Sequence, residues 1–356
     1  MRVAIDAMGG DRAPEEIVRG AVKALKEAYC EKVFLVGIGE KVREILKESG
    51  AEEDERIVVV ETPDVIGMEE SAIKALREKP HSSISATVNL VEKGAADAAI
   101  SAGNTGAFVA ASIFILNTLE GVKRPGIAVP FPSENRAGVC TIIDAGANIE
   151  AKPMHLIQYG VIGSIYAEAV LGVNEPRVAL INVGSESSKG PERLRSAYRF
   201  LKHRSPVNFT GNVEGNDLFG DVCEVAVCDG LVGNVVLKVA EGMGEGMLRW
   251  FKRSLEKHMG SNFSEVKRSV MSELSKIGSY TEYGGAPLLG VNGIVIICHG
   301  RSNADAIANA VKVAARQHSL AVNEKIRRKL ATLALEWWRP SRWMDFIRWG
   351  REDEED

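Results

Sequence analysis

Cysteine is scarce and shows no pairing pattern. The five residues Cys30, Cys140, Cys223, Cys228 and Cys298 are an odd number and form no CxxC. A disulfide framework is not expected, and a reducing cytoplasm suits the chain. Long apolar runs are missing: none approaches the roughly 20 residues of a membrane span. The first residues, MRVAIDAMGG, have no signal-peptide hydrophobic region. No excess of either charge stands out. The 44 Lys+Arg face 48 Asp+Glu for a net −4, whereas a nucleic-acid-binding chain is normally basic. No repeat recurs at a period of roughly 20–50 residues. There is no GxxxxGK[ST] loop, no GxSxG elbow, no HExxH and no His/Cys cluster at metal-ligand spacing. GIGEKV (37–42) lacks the third glycine of a dinucleotide fingerprint. No metal or redox cofactor is therefore expected.

What is present is an ordinary globular composition over 356 residues, 45% of them hydrophobic, enough for a large buried core. The 35 glycines gather at the ends of short apolar runs. Val3–Ile5 leads into DAMGGD (6–11), and Ala98–Ile100 into SAGNTGA (101–107). Thr141–Ile143 leads into DAGAN (144–148), and Val178–Ile181 into NVGSESSKG (182–190). Val222–Val227 leads into CDGLVGN (228–234), and Ile294–Ile297 into CHGRSNAD (298–305). Apolar runs without alternation read as strands covered on both faces. Helical patterns follow most of these turns, over about 14–29, 70–78, 82–92, 104–119, 153–171 and 303–316. Strand, glycine turn and helix in succession predict an α/β fold with a doubly wound, mostly parallel sheet, ligands lying at the carboxyl ends of its strands.

The glycine turns supply the candidate site. In SAGNTGA a strand end, two glycines and a helix start expose backbone N–H groups to an oxyanion. Asn104 and Thr105 can donate alongside Gly103 and Gly106. A tight turn capped by Asn104 explains the same residues. DAMGGD offers Asp6, a structural or ligand-contacting acid, and the Gly9–Gly10 pair that permits close backbone approach. Lys189 is the lone lysine inside one of these motifs; it is a point charge for a phosphate or a plain surface residue. Asn234 can donate to an oxyanion or cap a helix. His299 can assist a leaving group or serve the fold, and Arg301 is a possible anion contact. Cys228 has no histidine nearby in sequence and reads as a buried structural thiol.

Taken together, DAMGGD, SAGNTGA, DAGAN, GNVEGND (211–217), DGLVGN, YGGAPLLGVNG (283–293) and HGRSNA follow one order and spacing. Over residues 1 to about 318 the sequence resembles the bacterial acyl-acyl carrier protein:phosphate acyltransferase family of phospholipid synthesis. That resemblance implies acyl transfer from acyl carrier protein to inorganic phosphate, giving an acyl phosphate for glycerol 3-phosphate acylation. It also implies a fold like phosphate acetyltransferase and the isocitrate/isopropylmalate dehydrogenases, a homodimer, and a cytoplasmic protein peripheral to the membrane. On this reading Gly103, Asn104, Thr105 and Gly106 hold phosphate, Lys189 offsets its charge, Asn234 donates to the thioester oxygen and His299 assists the thiolate. Attack is direct, without an acyl-enzyme.

Two segments depart from the α/β rhythm. Residues 241–277 read as a helical hairpin. Met243, Met247, Phe251 and Leu255 form one stripe, and Val266, Val270, Leu274 and Ile277 the other. The stripes suit a dimer interface, or with Trp250 an acyl trough. Arg249, Lys252, Arg253, Lys267 and Arg268 are docking candidates for an acidic carrier protein. The hairpin tip, 256–268, offers only Met259, Phe263 and Val266 to a bilayer. The tail from 321 is an alternative anchor, since Ile326, Leu330, Leu333, Ala334 and Trp337 share a stripe and Trp338, Trp343 and Trp349 follow. Residues 324–351 carry eight Lys/Arg against three Asp/Glu, and packing onto the α/β domain (1–320) or across the dimer is the other reading. Competing functions are a short-chain phosphate acetyltransferase-like enzyme using acyl-CoA, a non-catalytic scaffold binding acyl carrier protein at the membrane, and, more weakly, a dehydrogenase.

Overall fold

The computed structural model describes residues 1–204, 206–259 and 284–337. Its strands are β1 (Arg2–Asp6), β2 (Lys32–Gly37), β3 (Ile57–Glu61), β4 (Ala98–Ser101), β5 (Gly126–Pro132), β6 (Val139–Ile143), β7 (Arg177–Ile181), β8 (Asn208–Val213), β9 (Val225–Val227), β10 (Ala286–Leu289) and β11 (Ile294–Ile297). The helices are α1 (Glu15–Lys26), α2 (Gly39–Glu48), α3 (Ala72–Glu78), α4 (Ser83–Glu92), α5 (Thr105–Leu116), α6 (Pro153–Tyr166), α7 (Glu192–Arg204), α8 (Gly230–Met259), α9 (Ala304–Ser319) and α10 (Val322–Trp337).

The strands form one sheet in the order β3-β2-β1-β4-β11-β10-β5-β6-β9-β7-β8. Fully buried sequences such as AAIS in β4 and IVII in β11 suit a sheet covered on both faces. The expected α/β class and mostly parallel sheet are both found. Only the pairings β11–β10, β10–β5 and β5–β6 are antiparallel.

Those pairings set the geometry of the site. An odd number of antiparallel steps makes the two halves of the sheet run in opposite directions. Register then decides where their carboxyl ends fall. Pro287 pairs with Ile296, Leu288 with Ile127, and Ala128 with Ile143. The end of β6 therefore stands level with the end of β11. The carboxyl ends of the two halves point at each other across β10 and β5, and the loops that follow them meet.

The helices are placed by their apolar faces. α1 buries Ile17, Val18, Ala21, Val22, Ala24 and Leu25, with acids in its first turn and lysines in its last. Asn303 caps α9, accepting the Ala306 N–H at 2.9 Å. The expected hairpin begins earlier than its pattern suggested: α8 runs unbroken from Gly230, so Asn234 lies in its opening turns. Val266, Val270, Leu274, Ile277 and the tip from 260 onward lie outside the described residues. The segment from 321 opens with α10, whose Ile326, Leu330 and Leu333 are buried in one core with Leu156, Ile157 and Ile162 of α6. Those three side chains are packed in the protein interior and are not free to face lipid. Trp338, Trp343 and Trp349 lie outside the described residues.

Ile326 is fully buried. Replacing it with Ala should cost about 3 kcal/mol of stability, read from the shift in a urea unfolding midpoint. A loss below about 1 kcal/mol would mean that α10 is not docked in solution.

Candidate active site

The start of α5 follows directly from SAGNTGA. Asn104 caps the helix, its Oδ1 accepting the Ala107 N–H at 3.0 Å. Its amide nitrogen donates to the carbonyls of Gly67, Met68 and Glu70 at 3.2, 3.1 and 2.9 Å. The Asn104 side chain is thus committed to tying loop 67–70 to the helix and has no hydrogen left for a ligand. The Gly103 N–H is spent on Ser101 Oγ at 3.0 Å, and that hydroxyl donates to Asp6 Oδ2 at 2.7 Å. Asp6 is buried, and burial pushes its carboxyl above the ordinary range. A side chain on Gly9 would meet the Gly103 nitrogen at 2.5 Å, and Gly10 adopts φ +108° beside the Gly300 carbonyl. Asp6, Gly9, Gly10, Gly103 and Asn104 therefore brace the loop from behind. Thr105 and Gly106 are exposed, and their N–H groups belong to the first turn, which has no acceptors within the helix.

The start of α8 rests on DAGAN. Asp144 accepts N–H groups from Ile127, Gly146, Ala147 and Asn148 and the Asn148 amide, at 2.7 to 3.1 Å. The helix backbone then presses on this loop: a side chain on Gly233 would lie 2.0 Å from the Asp144 carbonyl oxygen. Asp229 caps the helix, accepting the Val232 N–H at 3.0 Å. The next turn presents Asn234, exposed and beside Gly146.

His299 follows β11. Its Nδ1 accepts the Arg301 N–H at 3.1 Å, which leaves the proton of the neutral ring on Nε2. Burial, with Lys238 and Arg301 nearby, holds its pKa below the ordinary 6.5 against the opposing pull of Glu241 and Asp11. The ring is a neutral donor at physiological pH.

A cavity of about 940 Å³ joins these pieces. Thr105, Gly106, Asn234 and His299 all line it. Its other walls are apolar: Ile127, Val129 and Phe131 from β5, and Val235, Val239, Met243, Met247 and Phe251 from α8. The size is near the upper end of ligand sites, about 1,000 Å³. Lys238, the lysine of its wall, pairs with Glu241 at 2.9 Å. Cys298 also lines it, but burial pushes its thiol up to about 12. Cys228 is buried with its thiol well above the ordinary range, its Sγ donating to the Asp144 carbonyl. Neither is poised as a thiolate nucleophile.

The remaining candidates lie elsewhere. Lys189 is exposed on the loop after β7, 3.7 Å from Glu186, and does not line the cavity. Arg249, Lys252 and Arg253 are exposed on α8, Arg249 lying 3.5 Å from Glu245. Arg301 is also exposed and is held by Glu245 at 2.9 Å. Lys267 and Arg268 lie outside the described residues. Sequence reasoning missed the wall supplied by β5, because Pro130 and Pro132 discourage a strand assignment. It also missed Lys238 and Glu241, which look like any solvated helix pair.

Residues 1–325 match the fatty acid synthesis protein family. The chain belongs to that family. It is 47% identical over 314 residues to a phosphate acyltransferase of Desulforamulus reducens, covering 88% of this chain and 92% of that one. It is 45% identical to a phosphate acyltransferase of Halothermothrix orenii, covering 88% and 94%. In fold it is similar to a phosphotransacetylase from Streptococcus pyogenes, with a TM-score of 0.62 at 17% identity over 89% of this chain and 93% of that one. The EutD phosphotransacetylase from Staphylococcus aureus gives a TM-score of 0.54 at 15% identity over 89% and 94%.

The histidine assignment has a pH consequence. Below the ordinary 6.5 the unfolded chain takes up a proton that the folded ring still refuses. Stability from this residue is intact above that value and declines as pH falls toward the folded pKa. An NMR titration should place the His299 midpoint below 6.5; a midpoint at or above it would contradict a desolvated ring.

Proposed function

We propose that this protein transfers a long-chain acyl group from acyl carrier protein to inorganic phosphate, releasing acyl phosphate and the free carrier thiol. Family membership supports the acyltransferase class. The supporting observation within the molecule is a single cavity that places neutral hydrogen-bond donors beside an apolar trough, with no ionisable thiol poised to form an acyl-enzyme.

In this mechanism phosphate sits at the first turn of α5, held by the N–H groups of Thr105 and Gly106 and the Thr105 hydroxyl. The thioester carbonyl lies beneath Asn234, and the acyl chain runs along Met243, Met247 and Phe251. A phosphate oxygen attacks the carbonyl carbon, and the Asn234 amide donates to the oxyanion that forms. The tetrahedral intermediate collapses with loss of the C–S bond. His299 Nε2–H donates a hydrogen bond to the departing sulfur, which leaves as a thiolate and takes its proton from solvent. The protein's contribution is alignment and a prearranged dipolar environment. Lys189 enters as a counter-charge on a flexible stem, since its pair with Glu186 is long and exposed and so contributes little to hold it.

The carrier protein docks against Arg249, Lys252 and Arg253, on the stretch of α8 that also carries the distal trough residues. The exposed Leu231, Val235, Val239 and Trp250 of α8 are covered by a second copy in a homodimer. No described helix is long and apolar enough to cross a membrane, and the lipid contact of this reading is peripheral.

Purified protein should release free thiol from a long-chain acyl carrier protein only when phosphate is added, and faster than from the matching acyl-CoA. Preference for the short-chain CoA thioester would favour the phosphate acetyltransferase-like reading, and no phosphate-dependent release at all would leave a carrier-binding scaffold. Asn234→Ala should lower kcat about a hundredfold. Lys189→Ala should lower kcat/KM for phosphate about tenfold, and a change under about twofold removes it from the reaction.

A further inference from the structure

A second cavity, of about 500 Å³, is lined by Asn148, the last residue of loop 144–148, and by the chain that follows it. Arg124 enters it from the chain before β5, Lys152 and His155 from the start of α6, and Arg193 from the first turn of α7. Arg193 is paired with Asp229 at 2.8 Å. Arg124 and Lys152 have no carboxylate within ion-pair distance among the described residues. Glu150, the acid in the wall, is exposed and pairs with neither. Three elements thus converge their cations on one concavity, and two of those charges are uncompensated. The field is felt locally: besides burial, Arg124 and Lys152 hold the His155 imidazole below its ordinary pKa. The dipole of α6, 14 residues long, adds to the same potential.

The position is as informative as the charge. Ala145 and Gly146 line the large cavity, while Asn148, two residues on, lines the small one. Two residues span at most about 7 Å. The loop beside Asn234 thus contributes to the walls of both cavities. The large cavity, by contrast, offers a phosphate dianion no unpaired lysine or arginine from its wall. We propose that the Arg124–Lys152–Arg193 cavity binds a phosphate group distinct from the one that attacks the thioester: a second inorganic phosphate, or the phosphodiester of the carrier protein's pantetheine arm. The existence of the anion site stands on the side chains alone, whereas its role in turnover rests on the proposed function.

The test is isothermal titration of the full-length chain and its Arg124→Gln and Lys152→Gln variants with two probes, inorganic phosphate and pantetheine 4′-phosphate. Both replaced side chains are exposed, so the variants should fold, and circular dichroism checks this. Each variant should weaken binding about fivefold or more. Loss confined to inorganic phosphate identifies the free anion as occupant; loss confined to the pantetheine probe identifies the arm; loss of both marks one shared phosphate site. Unchanged affinity for both probes, or no binding by the parent chain, overturns the inference. Phosphate-dependent thiol release by the parent chain is measured separately. Release without any binding change in the variants sinks the cavity and spares the reaction, and the converse does the opposite.

Discussion

The register of one short strand governs this molecule. β10 spends its first half paired with β11 and its second half paired with β5. That handover shifts the two halves of the sheet along the strand axis until their carboxyl ends oppose each other. In a sheet of uniform direction, ligand-binding loops gather along a single edge. Here they are brought face to face instead. Thr105 and His299 come from one half and Asn234 from the other, and they share a cavity because of a pairing in which none of them takes part.

Much of the architecture was legible because buried parallel strands leave a strong trace. Val3–Ile5, Ala98–Ile100 and Ile294–Ile297 are short, apolar and closed by glycine turns, and each is a strand. Of the four strands that escaped notice, β3 (IVVVE) offered no such excuse, but the other three had physical reasons. β5 contains Pro130 and Pro132, and β10 contains Pro287; proline removes a ladder donor and argues against a central strand. β8, at one edge, is interrupted by Gly211. The two strands that set the register were thus the hardest to see.

The site was legible by motif and not by role. Glycine-rich turns at strand ends signal close approach of backbone, but they do not say whether the approaching partner is a ligand or another loop. Asn104 and Gly103 looked like anion donors, yet their hydrogens are taken by Gly67, Met68, Glu70 and Ser101. The adjacent Thr105 and Gly106 are the groups left open. Arg124 and Lys152 carried no signal, because isolated basic residues acquire meaning only when three elements aim them at one space.

The contact between Gly233 and Asp144 bears on how such a chain can vary. A hydrogen is the largest substituent that fits at that Cα, since even a methyl carbon would overlap a carbonyl oxygen. The position tolerates one amino acid for reasons of volume. Invariance there among relatives would record the seating of a helix on a turn, and a chemist searching aligned sequences for reactive groups would be misled by it.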